Sequence, residues 1–165
     1  MSLKSTVYLC GPIRGREDYK WRLQFIRRYE GAFRCLVPSD IGVEDFTKLR
    51  QFKPSAYMTY RTDLNLLDLA DLVVANLLPL DEGYPGRGSL IEIGYAIALK
   101  KLILVVGSEE LRKHPFLHFG PDGMFGSFEE LYGYLDQYLQ VLSGDPPQIR
   151  ELIKNLEIPP QKKED

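Results

Sequence analysis

Short apolar runs alternate along the chain with segments in which apolar residues recur at helical spacing. Four runs are rich in β-branched and apolar residues and end near glycine or proline, which is typical of buried strands. They read "STVYLCGP" (5–12), "FRCLVP" (33–38), "DLVVANLLPL" (71–80) and "LILVVG" (102–107). The pattern therefore predicts four strands within the first two thirds of the chain.

Helical periodicity fills most of the intervals between these runs. Residues 88–99 predict an almost wholly apolar helix, and residues 127–142 predict one with Ser127 as its N-cap and Glu130 as capping-box partner. Residues 39–54 and 109–126 show no sustained period and are expected to be irregular. In the two other helical segments, the core-facing positions are Trp21, Phe25, Ile26 and Tyr29 (16–33), and Met58, Leu64, Leu66 and Leu67 (54–71).

The alternation of strand and helix predicts a parallel sheet with helices on both faces. The expected fold is a single three-layer α/β/α domain with a mostly parallel, doubly wound sheet of about five strands, of the flavodoxin or Rossmann type. It would span residues 1–145, and residues 146–165 would add a short helix and a frayed tail. Ligands bind such sheets beyond the carboxyl ends of the strands, so a site is expected at the loops 10–18, 77–89 and 107–116.

Composition narrows the class of protein. The 165 residues are 44% hydrophobic and 27% charged, with a net charge of -2, so bulk electrostatics favour neither a nucleic-acid polymer nor a membrane as partner. Cys10 and Cys35 form no metal-ligand spacing or disulfide framework and are expected to be buried free thiols in a reducing cytoplasm. With only His114 and His118, and no HExxH or CxxC, we expect no metal.

Glu92 is the single carboxylate of the apolar segment 88–99. A carboxylate on a buried helix face is costly unless something pairs with it or uses it. One interpretation places Glu92 in the first turn of the helix, where the macrodipole favours negative charge. The other gives Glu92 a chemical task.

The loop "CGPIRGRED" (10–18) directly follows a predicted strand and opens a helix. Glycines that allow close approach, a nearby arginine and the N–H groups of a helix N-terminus suit an anion such as phosphate. Gly-Pro after a strand is also plain turn chemistry. The loop lacks the GxGxxG pattern of dinucleotide binding, and Pro38 stands where an acidic residue would end the second strand. An oxidoreductase is therefore disfavoured, and no cofactor is expected.

Asp63 and Asn65 stand in the middle of a predicted helix, where both residue types are poor helix formers and neither has a capping task. They belong either to a solvent-facing polar stripe or to a site. Asp71 is expected at the end of the helix, and Asp68 on its solvated face.

Taken together, "VYLCGPIRGRED", "TDLNLLDLADLVVANL" and "GSLIEIGYAIALKKLILVV" resemble, in order and spacing, the nucleoside 2-deoxyribosyltransferase family. The resemblance covers Thr6 to Val106, with a weaker echo to Tyr134. It implies that Glu92 is a nucleophile that attacks the anomeric carbon of a nucleoside and forms a glycosyl ester. It also implies that Asp63 handles the leaving base and that Tyr8 orients Glu92.

The first loop resembles the branch of the family that hydrolyses nucleoside 5'-monophosphates, because transferases of free nucleosides lack a Gly-x-Ile-Arg-Gly segment. By this resemblance the residues that hold the phosphate are Gly11, Ile13, Arg14 and Gly15. Pro12 stands where that branch has a serine, which removes a hydroxyl and an N–H donor.

A second departure lies before the nucleophile, where family members often carry Asp or Ser and this chain has Gly86. Arg87, Gly88 and Ser89 follow it and are expected to bind substrate. Arg87 either replaces the lost polar contact or binds phosphate itself.

The family usually completes each site with a segment of a neighbouring subunit, and residues 112–126 stand where that segment would be. The resemblance thus implies a homodimer or higher homo-oligomer with shared active sites. Here His114, Pro115 and Phe116 replace the Asn-x-Met of free-nucleoside transferases. Phe116 and Phe119 are equally well interpreted as ordinary core.

The expected function is cleavage of the N-glycosidic bond of a (2'-deoxy)nucleoside 5'-monophosphate, with the base released to water or exchanged for another base. The alternatives are a nucleoside 2-deoxyribosyltransferase acting on free nucleosides and a non-catalytic protein that binds or senses nucleotides. In every case the partner is a small nucleoside or nucleotide.

Overall fold

A computed structural model describes residues 4–12, 16–38, 56–78 and 86–143. Strands and helices alternate through these residues, as the apolar pattern predicts. In chain order they are β1 (Ser5–Cys10), α1 (Arg16–Tyr29), β2 (Phe33–Leu36), α2 (Ala56–Leu69), β3 (Leu72–Asn76), α3 (Arg87–Ala98), β4 (Leu102–Val106), α4 (Glu109–Arg112), α5 (Pro115–Phe119), β5 (Gly123–Phe125) and α6 (Phe128–Ser143).

The strands form one parallel sheet in the order β2-β1-β3-β4-β5. This order confirms the doubly wound α/β fold of the flavodoxin type. The chain leaves β1 toward one side to form β2 and then crosses back to form β3 on the other side of β1. Such a reversal opens a crevice at the carboxyl ends of the two strands, where ligands bind in folds of this kind. Here the crevice lies beyond Cys10 and Asn76, the last residues of β1 and β3.

Side chains alternate between the two faces of the sheet, and both faces are buried. On one face Tyr8, Cys10, Val73, Ala75, Ile103 and Val105 join Leu67 of α2 and Ile93 and Ala96 of α3 in a single core cluster. On the other face Val7, Leu9, Val74 and Leu104 are equally buried. The aromatic rings of Phe25 and Tyr29 in α1 pack on Phe33 of β2.

Two aspartates fasten the amino ends of the central strands. The Thr6 N–H donates to Asp71 Oδ2 at 2.8 Å, and the Asp71 N–H returns a bond to the Thr6 carbonyl at 2.8 Å. Asp122 and Ile103 exchange the same pair of bonds at 2.8 and 2.9 Å. Asp71 thus joins the end of α2 to β1, in keeping with its predicted place after the helix.

The expectation that residues 109–126 are irregular is wrong. They contain α4, α5 and β5, the edge strand of the sheet. Ser108 caps α4, because its Oγ accepts the Leu111 N–H at 3.2 Å. Elements of three to five residues are too short for a periodic apolar pattern to develop, which is why the sequence did not reveal them.

The apolar helix α3 is buried on one side only. Ile93 and Ala96 face the core, whereas Leu90, Ile91 and Ile97 are exposed. The helix α5 adds Phe116 and Phe119, which are 81% and 74% exposed, so the interpretation of these phenylalanines as core is wrong. A Cβ at Gly120 would lie 2.6 Å from Ile97 Cδ1 and 2.5 Å from the Phe116 carbonyl, so the end of α5 lies against α3. We call Leu90, Ile91, Ile97, Phe116 and Phe119 the α3–α5 surface.

The chain forms two compact units, Met1–Gly126 and Ser127–Asp165. The second begins with α6, and the Ser127 Oγ accepts the Glu130 N–H at 3.2 Å, which confirms Ser127 as the N-cap. The expected tail at 146–165 and the expected loop at 39–54 lie outside the described residues. None of the helices in the described ranges has the length and apolar character needed to cross a membrane.

Candidate active site

Tyr8 and Cys10 are fully buried at the carboxyl end of β1. They are two residues apart on one strand, so their side chains point to the same face of the sheet, toward α3. The Cys10 thiol donates a hydrogen bond to the Ser89 carbonyl at 3.7 Å. This bond fastens the first turn of α3 to the end of β1. The expectation of a buried free thiol is confirmed for Cys10, while Cys35 is half-buried.

Glu92 lies in the second turn of α3, beyond the first-turn position in which the macrodipole would explain a carboxylate. Ile93 and Ala96 on the same helix belong to the core that contains Tyr8 and Cys10. The sequence thus places a carboxylate at the margin of an apolar helix face, next to the end of β1.

Burial raises the pKa of Glu92 from 4.5 to about 7. The thiol of Cys10 and the hydroxyl of Tyr8 oppose this shift, because they face the carboxyl and favour its charged form. The neighbouring negative charge of Asp63 raises the pKa further, and the positive charge of Arg22 lowers it. Glu92 is therefore held near the midpoint of its titration at neutral pH. We call Tyr8, Cys10, Asp63 and Glu92 the Glu92 cluster.

Tyr8 and Cys10 remain protonated at neutral pH. Burial, followed by the charge of Glu92, raises the pKa of both groups well above their usual values. The Tyr8 hydroxyl is near enough to Glu92 to change its pKa, yet within the described ranges neither Tyr8 Oη nor Glu92 Oε2 has a hydrogen-bond partner of ordinary geometry. Buried polar atoms left unsatisfied by the fold are costly and call for an explanation, of which a catalytic role is one.

Asp63 is half-buried on α2, whereas Asn65 is exposed. The charge of Asp63 raises the pKa of both Glu92 and Tyr8, so Asp63 lies on the side of α2 that faces the Glu92 cluster. Asp68 on the same helix is exposed, as expected, and accepts a hydrogen bond from the Tyr95 hydroxyl at 2.9 Å. Asp63 is thus less exposed than Asn65 and Asp68, which favours a place in the site over the solvent-facing stripe.

The turn after β1 is held from inside by Arg22 of α1. The guanidinium donates to the carbonyls of Gly11 at 2.6 Å, Leu9 at 3.1 Å and Pro12 at 3.4 Å. Gly11 has a φ of +156°, and a Cβ there would lie 3.1 Å from the Asn76 carbonyl and 3.3 Å from an Arg22 nitrogen. Only glycine fits this position without displacement. The remaining predicted phosphate residues, Ile13, Arg14 and Gly15, lie outside the described residues.

Gly86 caps α3 in a left-handed conformation, with φ 41° and ψ 24°. This backbone conformation favours glycine and explains why Gly86 stands where the resemblance leads one to expect Asp or Ser. Arg87 begins the helix, Gly88 is exposed, and Ser89 is buried with its carbonyl bound by Cys10. The side chain of Arg87 lies outside the described part of the structure.

The structure therefore brings Tyr8, Asp63 and Glu92 together from three separate elements. Cys10 and Arg22 also interact with Glu92, and neither was predicted from the sequence to do so. Cys10 could have been found from strand alternation, since it shares a face with Tyr8. Arg22 could have been found as a charged residue in the apolar stripe that also contains Phe25 and Tyr29. Across the described residues, His, Cys, Asp and Glu side chains nowhere form a group of three or more suited to a metal ion.

The model of a family described as nucleoside 2-deoxyribosyltransferase matches residues 7–134. A search of curated proteins found no match.

Three solved structures are similar to the chain. A 2-deoxyribosyltransferase from Leishmania mexicana is 21% identical, with a TM-score of 0.59 over 79% of this chain and 95% of that one. A 2-deoxyribosyltransferase from Bacillus psychrosaccharolyticus is 15% identical, with a TM-score of 0.56 over 77% and 90%. The CMP N-glycosidase BcmB from Clostridium botulinum is 19% identical, with a TM-score of 0.52 over 80% and 99%. At these identities the likeness shows a common fold.

Proposed function

The chain belongs to the nucleoside 2-deoxyribosyltransferase family, and we propose that it cleaves the N-glycosidic bond of a ribo- or 2'-deoxyribonucleoside 5'-monophosphate. The base is released to water or exchanged for another base, and Glu92 carries the sugar in between. The observation that carries this proposal is a carboxyl group of pKa about 7, set between a buried hydroxyl and a buried thiol.

The reaction would proceed by two displacements at the anomeric carbon. A Glu92 oxygen attacks that carbon, and the C–N bond breaks with its electron pair going to the base. A water molecule or a second base then attacks the same carbon, and Glu92 leaves as a carboxylate. Two displacements give overall retention of configuration, as in retaining glycosidases. Partial burial suits Glu92 to this role, because a poorly solvated carboxylate loses less hydration when it forms the ester.

Tyr8 would orient the nucleophile. Its hydroxyl stays protonated because its pKa is raised by burial and by Glu92, so it acts as a donor throughout the cycle. Full burial of the ring fixes its direction. A donor beside Glu92 would stabilise the carboxylate before attack and again when Glu92 leaves the sugar.

Asp63 would serve the leaving base. It comes from α2, whereas Glu92 comes from α3 and Tyr8 from β1, so the acid–base group and the nucleophile lie on different elements. In the state in which Asp63 carries a proton and Glu92 is charged, Asp63 gives its proton to the departing base, and the Asp63 carboxylate then takes a proton from the attacking water. The charge coupling between Asp63 and Glu92 supports a shared site.

The phosphate would bind at the loop after β1. Gly11, Ile13, Arg14 and Gly15 match the phosphate-binding segment of the monophosphate branch, and the helix α1 begins directly after them at Arg16. Amide groups at a helix N-terminus and an arginine are both favourable to phosphate. Arg87, Gly88 and Ser89 at the first turn of α3 would contact the substrate from the other side of the crevice.

The substrate class is tested by measuring free base after incubation with matched pairs of nucleosides and their 5'-monophosphates. We expect wild-type protein to release base from monophosphates and Glu92→Gln to release none. Preference for free nucleosides, with base exchange, would replace this proposal by a nucleoside transferase. If wild-type protein binds nucleotides and releases no base, a sensing protein is indicated.

The phosphate contact is tested with Arg14→Ala. We expect kcat/KM for the monophosphate to fall by about 1–3 kcal/mol in transition-state terms, the range of a lost charge-assisted hydrogen bond. Turnover of the unphosphorylated nucleoside should be nearly unchanged. Arg34→Ala, at an exposed position of β2, is the matched control. An equal loss on both substrates would contradict a phosphate contact.

The protein would act as a homodimer or higher homo-oligomer with shared active sites. The α3–α5 surface supports this proposal, because five large apolar residues are exposed on two adjacent elements. Exposed apolar patches of this kind mark protein interfaces. The surface includes the exposed side of α3, the helix that also carries Glu92, so a second copy bound there would lie close to the Glu92 cluster.

A further inference from the structure

Arg22 is a fully buried arginine on the core-facing side of α1. Burying a guanidinium is costly, so its N–H groups must be satisfied inside the protein. Three of its nitrogens donate to the carbonyls of Leu9, Gly11 and Pro12. All three carbonyls belong to the carboxyl end of β1 and the turn that follows.

Two aromatic rings hold the guanidinium in place. The Cζ of Arg22 lies 4.7 Å from the centroid of the Trp21 ring and 5.4 Å from that of Tyr19, and both rings are buried. Contacts at these distances are cation–π interactions. The planar guanidinium of arginine can pack against aromatic rings and donate hydrogen bonds in several directions at once, which the ammonium group of lysine cannot do.

The turn held by Arg22 borders the Glu92 cluster. Gly11 is packed between an Arg22 nitrogen and the carbonyl of Asn76, the last residue of β3. Leu9 separates Tyr8 from Cys10 on β1. Arg22 therefore holds the backbone on the β1 side of the crevice, at the point where Gly11 lies closest to the end of β3.

The positive charge of Arg22 also acts on Glu92. It lowers the pKa of Glu92, while burial lowers the pKa of the guanidinium and the negative charge of Glu92 opposes that shift. The other groups that face Glu92 are Tyr8 and Cys10 from β1 and Asp63 from α2. Arg22, from α1, is the cation among these groups.

We propose that Arg22 is a positioning residue for the reaction: its guanidinium fixes the turn after β1 against the Glu92 cluster and places a positive charge near Glu92. This inference rests on the proposed function, in which Glu92 is the nucleophile and the turn begins the phosphate loop. It assigns Arg22 no contact with the substrate. The geometry of three carbonyl bonds and two ring contacts carries it.

Two substitutions separate the charge of Arg22 from its shape. Arg22→Lys keeps the charge and loses the three-way fork, and Arg22→Gln loses both. Arg28→Gln is the control, because Arg28 lies on the same helix, is exposed, and also stacks on a ring, that of Tyr29 at 5.7 Å. All variants are assayed where circular dichroism shows them fully folded.

The first readout is the pKa of Glu92, measured by NMR of protein labelled with ¹³C at the glutamate carboxyls, with the Glu92 signal assigned from its absence in Glu92→Gln. We expect a pKa of about 7 in wild type, a higher value in Arg22→Gln, and a value near wild type in Arg22→Lys. An unchanged pKa in folded Arg22→Gln would overturn the charge role. If Arg22 had only a structural role, its substitution would change the melting temperature and leave the pKa of Glu92 unchanged.

The second readout is the kinetics of base release. We expect Arg22→Lys to lower kcat/KM by about 10- to 100-fold, the loss that follows when catalytic groups are displaced by about 1 Å. The apparent pKa on the acidic side of the pH profile of kcat/KM should stay at its wild-type value. Wild-type kcat and KM in Arg22→Lys would overturn the positioning role, and this variant keeps the test open if Arg22→Gln does not fold. Full activity of Glu92→Gln would instead refute the proposed function, while the NMR titration would still test the charge of Arg22.

Discussion

Glu92 is a carboxyl group held where ionisation is unfavourable. Its pKa is about 7 because burial and the nearby charge of Asp63 raise the pKa more than Cys10, Tyr8 and Arg22 lower it. Each pKa unit corresponds to about 1.4 kcal/mol, so the folded state is destabilised by roughly 3 kcal/mol when Glu92 is charged. Such a penalty is expected of a residue retained for chemistry rather than for folding.

The pH dependence of stability tests this penalty directly. The folded-state pKa of Glu92 is raised above its ordinary value of 4.5, so the native state holds its proton more tightly than the unfolded state. Stability from this group is therefore present at low pH and is lost as pH rises toward 7. We predict that Glu92→Gln is more stable than wild type in urea at about pH 8, with the difference much smaller at about pH 5. Glu129→Gln, an exposed change on α6, is the control, and an equal difference at both pH values would contradict the shifted pKa.

Asp63 gives the second prediction at the scale of single residues. Asp63→Asn should slow cleavage of natural nucleotides by about two to four decades, the contribution of a general acid–base group. A substrate whose base leaves without protonation should be cleaved almost as fast as by wild type. Asp68→Asn, an exposed change on the same helix, should leave both rates unchanged. If Asp63→Asn slows both substrates equally, Asp63 is not the group that protonates the base.

At the scale of elements, the site depends on how closely β1, β3 and α1 approach one another. Gly11 lies where these elements meet, and a Cβ added there would lie only 3.1 Å from the Asn76 carbonyl oxygen. We predict that Gly11→Ala destabilises the protein by about 1–3 kcal/mol, since φ is unfavourable for alanine and the backbone must shift. It should also lower kcat/KM, because the turn that Arg22 holds would move. Urea denaturation and base release measure the two effects.

Gly31→Ala is the matched control for this change. A Cβ at Gly31 would meet no atom within 4 Å, and its φ is not in the positive range. It should therefore leave stability unchanged or slightly raised. If Gly11→Ala behaves like Gly31→Ala, the close packing of the turn has no energetic consequence.

The elements also show what a sequence can reveal. The long strands and helices follow from periodicity. The order of the motifs selects Tyr8, Asp63 and Glu92, whose side chains interact electrostatically and whose catalytic roles stay a prediction. The short elements α4, α5 and β5 were missed because three to five residues carry no period. Arg22 stands out in the sequence as a charged residue in the apolar stripe of α1, but its task could not be predicted because its partners are backbone carbonyls. The exposed side of α3 was not predicted, because an apolar residue can pack either in the core of its own chain or at the surface, and residue type does not distinguish the two.

At the scale of the whole molecule, the α3–α5 surface gives the prediction about assembly. Removing apolar residues from a buried interface weakens association, and a charge placed there weakens it more. We predict that wild-type protein sediments as an oligomer in analytical ultracentrifugation, and that Phe116→Asp sediments as a monomer with lower activity. Leu69→Asp, at a position on α2 that is 66% exposed and outside this surface, should change neither. A wild-type protein that sediments as a monomer at full activity would contradict shared active sites.

The central claim is that Glu92 forms a covalent bond to the sugar, and mass spectrometry of the intact and the protease-digested protein after a rapid acid quench tests it most directly. We predict that wild-type protein mixed with its nucleotide substrate gains the mass of the substrate less its base, on the peptide that contains Glu92. The Glu92→Gln protein should gain nothing and release no base. An adduct on another residue, or base release by Glu92→Gln at the wild-type rate, would contradict the account.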